Sequence, residues 1–407
     1  MANNEKISNN VKKRILFGEL KKYLCKKEAL VITGMRQVGK TTLMRQVYDY
    51  SGDKPKLWFD FENPLDVKTF EDIDYNNIYK RLENMAGENM AGEKLTVFID
   101  EIQIFPEITK IIKYLIDHYQ TKFVVTGSSN YYLKNLFPES LSGRKFLFQL
   151  NPLSFKECLY FQEKISEKEA VLLKLSDAIK QNDIFRHKKF ETDYENFLRF
   201  GGFPAVVLEK DKIAKEQILK NIFASFFEKD LKILSDYKDM QELRDLLLLL
   251  VPRIGSMLDV TRLAGELGVS RPKVYHYLEF LQGTFVIKLL PRYAKGIDRT
   301  VAGGKKVYFC DTGLLKIIGN VNDAQLFENA AINQLGQYGR VSFYNKRNTA
   351  EIDAILEKEI SFEVKLNGTE RDYQKLEKIS SDLGLGKGYV ISKNFVEKEG
   401  FISPAVL

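Results

Sequence analysis

The chain has 407 residues, 44% of them hydrophobic and 29% charged, which fits several folded domains and excludes a single small scaffold or a wholly disordered chain. Its 62 Lys and Arg against 55 Asp and Glu give a net charge of +7, enough to permit a polyanionic partner but too little to announce one. The longest apolar run, 246–251, is far below the roughly 20 residues that span a bilayer, so no membrane segment is expected.

In chain order, Ile7, Val11, Ile15, Leu20 and Leu24 recur at helical intervals and predict an amphipathic helix leading into an apolar strand over 29–33. The basic residues Lys6, Lys12, Lys13 and Arg14 are not followed by the apolar stretch and cleavage site of a secretory leader, so the cytoplasm is the expected compartment. Further buried strands are predicted at 57–61, 95–100, 123–126 and 146–150, with helical periodicity mostly between them. That alternation argues for a parallel α/β domain over about residues 1–154. The pentapeptide 83–87 repeats at once as 88–92, too short for a solenoid and read as an extension at an exposed connection. Residues 155–250 carry helical patterns interrupted by the tight turn Arg199-Phe200-Gly201-Gly202-Phe203-Pro204, and predict a helical lid or bundle. From 251 to 304 the order is helix, glycine turn, helix and β-rich stretch, which suggests a winged helix. Residues 305–407 return to an α/β pattern. The three cysteines and three histidines are scattered with no CxxC or HxxxH pair, which leaves zinc, disulfides and Cys/His catalysis without support.

The first motif that carries chemistry is Gly34-Met35-Arg36-Gln37-Val38-Gly39-Lys40-Thr41, which fits GxxxxGK[ST] after an apolar strand and before a helical stretch, 42–50. Glycines suit such a loop because backbone N–H groups must turn inward around phosphate oxygens where a Cβ would obstruct. Gly34, Arg36, Gln37, Val38, Gly39 and Thr42 would line the cradle, Lys40 would sit on the β- and γ-phosphates, and Thr41 would bind Mg2+. The strand Thr96-Val97-Phe98-Ile99-Asp100-Glu101 ends in two acids. Asp100 is placed for the magnesium hydration shell and Glu101 to polarise water, or the pair caps a helix. At Thr126-Gly127-Ser128-Ser129-Asn130 a polar side chain, Ser128 among them, either touches the γ-phosphate or forms a turn.

GMRQVGKTT, TVFIDEIQ, TGSSN, LSGR with NPLSFKE, FGGFP, FCDTGL, FEN, EID and EVK together resemble a family of bacterial and archaeal AAA+-type ATPases. In that family a P-loop domain precedes a winged helix and a restriction-endonuclease-like domain. The resemblance covers essentially the whole chain and implies ATP binding with Mg2+, ATP hydrolysis and an AAA+-like strand order. It also puts Arg144 where AAA+ proteins place an arginine finger, acting between copies in a homo-oligomer or held locally as a structural arginine.

Gly268 and Ser270 separate two helical segments, and Arg271, Lys273, Tyr275 and His276 would line the exposed start of the second. Residues 252–295 hold 7 Lys or Arg against 3 Asp or Glu, so this face either meets DNA or serves as a packing module. Farther on, every even-numbered residue from Ala350 to Leu356 and from Ile360 to Val364 is apolar, which fixes the register of two strands around the loop 357–359. Asp353 then faces Glu363, with Lys365 two residues along. This resembles the PD-(D/E)xK nuclease core, in which Asp353, Glu363 and the helical Glu328 hold a divalent metal and Lys365 steadies water or phosphate charge. The alternative is a solvated strand face rich in Glu and Lys.

Overall fold

In the computed structural model, residues 11–87, 94–127, 143–230, 237–294, 303–346 and 349–407 are described. The chain divides into two units, residues 1–151 with 283–285, and residues 152–282 with 286–407.

In the first unit β1 (Ala29–Thr33) and β4 (Lys122–Gly127) are buried along their whole length, as strands covered on both faces must be. With β2 (Lys56–Asp60), β3 (Thr96–Asp100) and β5 (Lys145–Gln149) they form a parallel sheet in the order β2-β3-β4-β1-β5. Burial is patchy only in β2 and β5, which lie at the edges. One face packs the helices Tyr75–Ala86 and Ile108–Tyr119 over Phe59, Val97, Ile99 and Val125. The register sets Thr33 beside Gly127 and Asp60 beside Asp100, so the carboxyl ends of β1, β3 and β4 open together, where ligands of open α/β sheets bind.

The N-terminal helix is shorter than its periodicity predicts. It spans Ile15–Leu20 and continues as a 3-10 turn, Lys21–Tyr23, while Ile7 lies outside the described residues. Arg14 is extended because its guanidinium is buried against loop carbonyls, a tertiary demand that overrides local propensity.

The second unit begins with helices, among them Phe155–Phe161, Ile184–Phe200, Lys212–Ser225 and Tyr237–Leu250. The turn after Phe200 needs its glycines: a Cβ on Gly201 would lie 2.1 Å from an Asp311 carboxylate oxygen, and one on Gly202 would lie 2.1 Å from the Leu153 carbonyl. Two motifs separated by about a hundred residues therefore meet in one contact.

Helix Val260–Leu267 is capped by Asp259 and stopped by left-handed Gly268, and the helix Arg271–Gly283 follows after two residues. Next, β6 (Ile287–Pro291) pairs antiparallel with β7 (Lys305–Phe309), and Ile254 and Met257 bridge to β7. A domain boundary at residue 305 therefore falls between two paired strands, since a glycine-rich stretch such as 296–304 does not reveal that its flanks pair.

The last sheet has the order β12-β11-β10-β9-β8, built from β8 (Val341–Lys346), β9 (Ala350–Leu356), β10 (Ile360–Lys365), β11 (Gly388–Ser392) and β12 (Phe401–Ile402). The β9–β10 pairing of Leu356 with Ile360 and Ala354 with Phe362 is the register that the apolar even positions predict. Helix Glu370–Leu383, closed by a capping box at Thr369 and Asp372, makes the crossover to parallel β11 and packs Leu376 and Ile379 over Ile355 and Val390. Among the described residues no helix is long and apolar enough to cross a membrane.

Candidate functional sites

The loop after β1 turns through two positive-φ glycines, Gly34 (φ 151°) and Gly39 (φ 95°), with Gln37 also left-handed at φ 60°. A Cβ on Gly34 would lie 2.1 Å from the Leu150 carbonyl oxygen, so that position is closed to side chains. At Gly39 the reverse holds. Among the described residues, no atom beyond Gly39 and its chain neighbours lies within 4 Å of the place a Cβ would take there, so the start of the helix Lys40–Tyr50 is left open, with no side-chain cap. That opening at a helix N-terminus fits an anion.

Lys40 is 5% exposed and folds back to donate to the carbonyls of Gly34 (3.1 Å) and Met35 (3.0 Å), holding its ammonium over the loop. Thr41 and Thr42 are exposed in the first helical turn, whereas Val38 is buried, so it can offer only its backbone. Arg36 is half-buried. A residue that sequence reasoning passed over braces the loop from behind: Arg14 donates to the Val38 carbonyl at 2.9 Å and to that of Asn151 at 2.8 Å. Nothing in its basic surroundings distinguishes it from a surface arginine.

At the end of β3, buried Asp100 accepts the Thr126 hydroxyl, and the same hydroxyl oxygen accepts the Glu101 N–H at 3.2 Å. Glu101 sits in the left-handed region (φ 55°), a conformation that costs a non-glycine residue about 1 kcal/mol and concentrates at functional positions. The Gln103 amide donates to its carboxylate. Thr126 and Gln103 thus fix the two acids; in the sequence Thr126 stood only at the edge of a polar turn. Ser128 lies outside the described residues. Arg144 makes a half-exposed ion pair with Asp117 of its own chain, Nε to Oδ1 2.6 Å.

In the second unit, Asp353 and Glu363 are 8% and 7% exposed, so this is a buried cluster and not a solvated strand face. Lys365 lies 2.7 Å from Glu363 and 4.0 Å from Asp353. The Val364 N–H donates to Asp353 Oδ2 at 2.9 Å. Two participants were not anticipated. Lys306 of β7 reaches Glu351 at 2.8 Å, Asp353 at 3.9 Å and Glu328 at 4.0 Å, and the Tyr308 hydroxyl donates to Glu328 at 2.7 Å. Their signal was polar side chains at alternate positions of a short strand, Lys306 and Tyr308 around buried Val307.

Burial, with the Asp353 charge beside them, pushes the carboxyls of Glu328 and Glu363 up to about 7. Burial works the other way on Lys306, yet the surrounding carboxylates Asp353, Glu328 and Glu351 hold its ammonium above the ordinary range. Among the described residues no three His, Cys, Asp or Glu side chains converge closely enough to hold a metal ion. Glu328, Asp353 and Glu363, the residues expected to hold a metal, lie with two ammonium groups: Lys306 beside Glu328 and Asp353, and Lys365 beside Asp353 and Glu363.

On the helix Arg271–Gly283, Arg271, Tyr275 and His276 are exposed. Lys273 is not part of that outer set: its ammonium pairs with Asp239 at 2.8 Å and Glu242 at 2.6 Å on the helix Tyr237–Leu250, a structural role that periodicity could not reveal.

Residues 26–159 match the family model of an AAA domain. They form an AAA-type P-loop domain of α/β fold. Such a domain implies ATP as its ligand, with Mg2+. Residues 191–325 match a second model, a domain of unknown function (DUF8612). An uncharacterized protein of Haemophilus influenzae is 29% identical over 364 residues, 84% of either chain. One of Methanocaldococcus jannaschii is 25% identical over 370 residues, 87% of this chain and 79% of that one. Among solved structures, the Walker-type ATPase of Pyrococcus abyssi aligns over 74% of this chain and 94% of that one, at 14% identity and a TM-score of 0.47.

Proposed function

We propose that the chain is a Mg2+-dependent ATPase of AAA+ type that acts on or regulates DNA. In this reading residues 1–154 are the motor, 155–250 a helical lid, 251–304 together with β7 a winged helix, and the rest to 407 a restriction-endonuclease-like domain. One observation carries the ATPase part: the open, glycine-lined helix N-terminus lies on the same sheet edge as an acid pair fixed by Thr126 and Gln103.

Lys40 and the loop N–H groups bind the phosphates, and Thr41 and Asp100 would hold Mg2+. The bound Mg2+ screens the charge of the phosphate oxygens. Glu101 takes the proton of the attacking water, in an orientation that Gln103 sets. Arg144 leaves Asp117 to meet the γ-phosphate of a neighbouring copy in a homo-oligomer, and the protein works in the cytoplasm.

The DNA part is supported by exposed Arg271, Tyr275 and His276 at the start of the second helix of the pair. The test follows phosphate release and strand cleavage together, with ATP, Mg2+ and several DNA forms. Arg271→Ala should weaken DNA binding and lower the slope of log K against log salt by about 1, whereas Lys273→Ala should leave that slope unchanged. Equal slopes for wild type and Arg271→Ala would remove this helix from the DNA interface. The ion pairing of Lys306 and Lys365 favours a second reading, an ATP-switched regulator whose nuclease-like domain does not cleave; ATP turnover without cleavage of any DNA form is its signature.

A further inference from the structure

We propose that Lys306 is the resident cation of the carboxylate cluster, so that Glu328, Asp353 and Glu363 take up a divalent ion only when its ammonium is removed. The inference rests on the ion-pair geometry and on neither the ATPase nor the DNA reading.

Lys306 is 2% exposed, deeper than any of the acids it serves. Its ammonium has Glu351 at 2.8 Å, Asp353 at 3.9 Å and Glu328 at 4.0 Å, with the Phe343 ring 5.3 Å away. A charge so far from water persists only while carboxylates match it. Mg2+ or Mn2+ needs oxygen ligands at about 2.0–2.2 Å and would draw these same carboxylates inward, leaving the ammonium against an aromatic ring and next to a second cation.

The acids also have little freedom to regroup. Asp353 Oδ2 already accepts the Val364 N–H and lies 4.0 Å from Lys365, which pairs with Glu363 at 2.7 Å from the more exposed side. Glu328 Oε1 accepts the Tyr308 hydroxyl, and behind it the chain comes so near that a Cβ on Gly255 would be 2.7 Å from the same oxygen. Lys306 and Tyr308 both come from β7, whose partner is β6, so the strand pair that follows the two short helices supplies the groups that satisfy the cluster.

The test is Mn2+ binding to the full-length, nucleotide-free chain, read by electron paramagnetic resonance and by thermal unfolding. Wild type should show no Mn2+ site that Asp353→Asn removes, and a Tm indifferent to Mn2+. Lys306→Met, equal in length and uncharged, should unfold at lower temperature and gain a Mn2+ site that Asp353→Asn removes, at least about tenfold tighter than any Mn2+ binding by wild type, with a Tm that rises with Mn2+. Lys306→Arg keeps the charge and should gain none. A wild-type Mn2+ site abolished by Asp353→Asn overturns the proposal, as does a folded Lys306→Met that acquires no site. Should Lys306→Met not fold, wild type against Asp353→Asn decides alone, absence of such a site supporting the proposal.

Discussion

Glu101→Gln is expected to lower ATP turnover by about 10²- to 10⁴-fold, the range of a lost general base, while nucleotide binding survives. Gln has the shape of Glu and the same Cβ, so it bears the left-handed backbone at position 101 no worse. The backbone N–H still reaches Thr126, and an amide oxygen can still accept from Gln103, so the acid pair's scaffold stays in place. Only the proton acceptor is gone. Parallel measurements of turnover and equilibrium ATP binding check this, and wild-type turnover in the variant removes Glu101 from the chemistry. Mixed with Arg144→Ala, the same variant should regain part of the activity, because an intact Glu101 site then meets a neighbour's intact arginine. No rescue in confirmed mixed assemblies leaves Arg144 with its local partner Asp117.

Asp311 carries the largest expected stability effect. Its carboxylate caps the helix Thr312–Ile318 by accepting from the Leu314 N–H at 3.0 Å, and it ties down the glycine turn by accepting from the Gly202 N–H at 2.7 Å. Asp311→Ala leaves both N–H groups buried and unmet, and should destabilise the chain by about 3 kcal/mol in denaturant melts at about pH 4, where the Asp311 contribution is complete. Burial pushes this carboxyl up to about 6 in spite of the backbone N–H groups it accepts from. A folded value above the ordinary 3.8 means that the contribution is complete below about pH 4 and is lost as pH rises through 6. The loss amounts to about 3 kcal/mol across that window. Asp311→Asn should make that segment of the pH–stability curve shallower, leaving the slope that Glu328 and Glu363 contribute, and a wild-type slope in Asp311→Asn would show that Asp311 has no part in it.

The sheet of the P-loop domain was legible because it is written locally: each strand has a short, mostly apolar core, and the loop motif announces the helix that follows. The β9–β10 register was legible for the same kind of reason, since seven apolar residues at even positions admit one pairing. Residues whose roles depend on distant partners were not legible. Arg14 and Lys6 look alike in sequence, and burial against Val38 and Asn151 is what distinguishes Arg14. Lys273 sits on the predicted outer face of its helix, yet the acids Asp239 and Glu242 arrive from another element and pair with it. Lys306 is the clearest case: the carboxylate spacing pointed to a divalent metal and gave no sign of an ammonium that reaches Glu351 and Asp353 from a strand about fifty residues upstream.

ATP binding through the glycine-lined loop is tested most directly by isothermal calorimetry of ATP with Mg2+ against wild type and Lys40→Ala. Lys40 is held over the loop by the carbonyls of Gly34 and Met35, beside an open helix N-terminus, and a charged hydrogen bond to phosphate is worth about 1.5–3 kcal/mol. Wild type should bind one ATP per chain saturably, and a folded Lys40→Ala should bind it with an affinity lower by about 10- to 100-fold. Equal affinities in the two proteins, or no ATP binding by wild type, would contradict this.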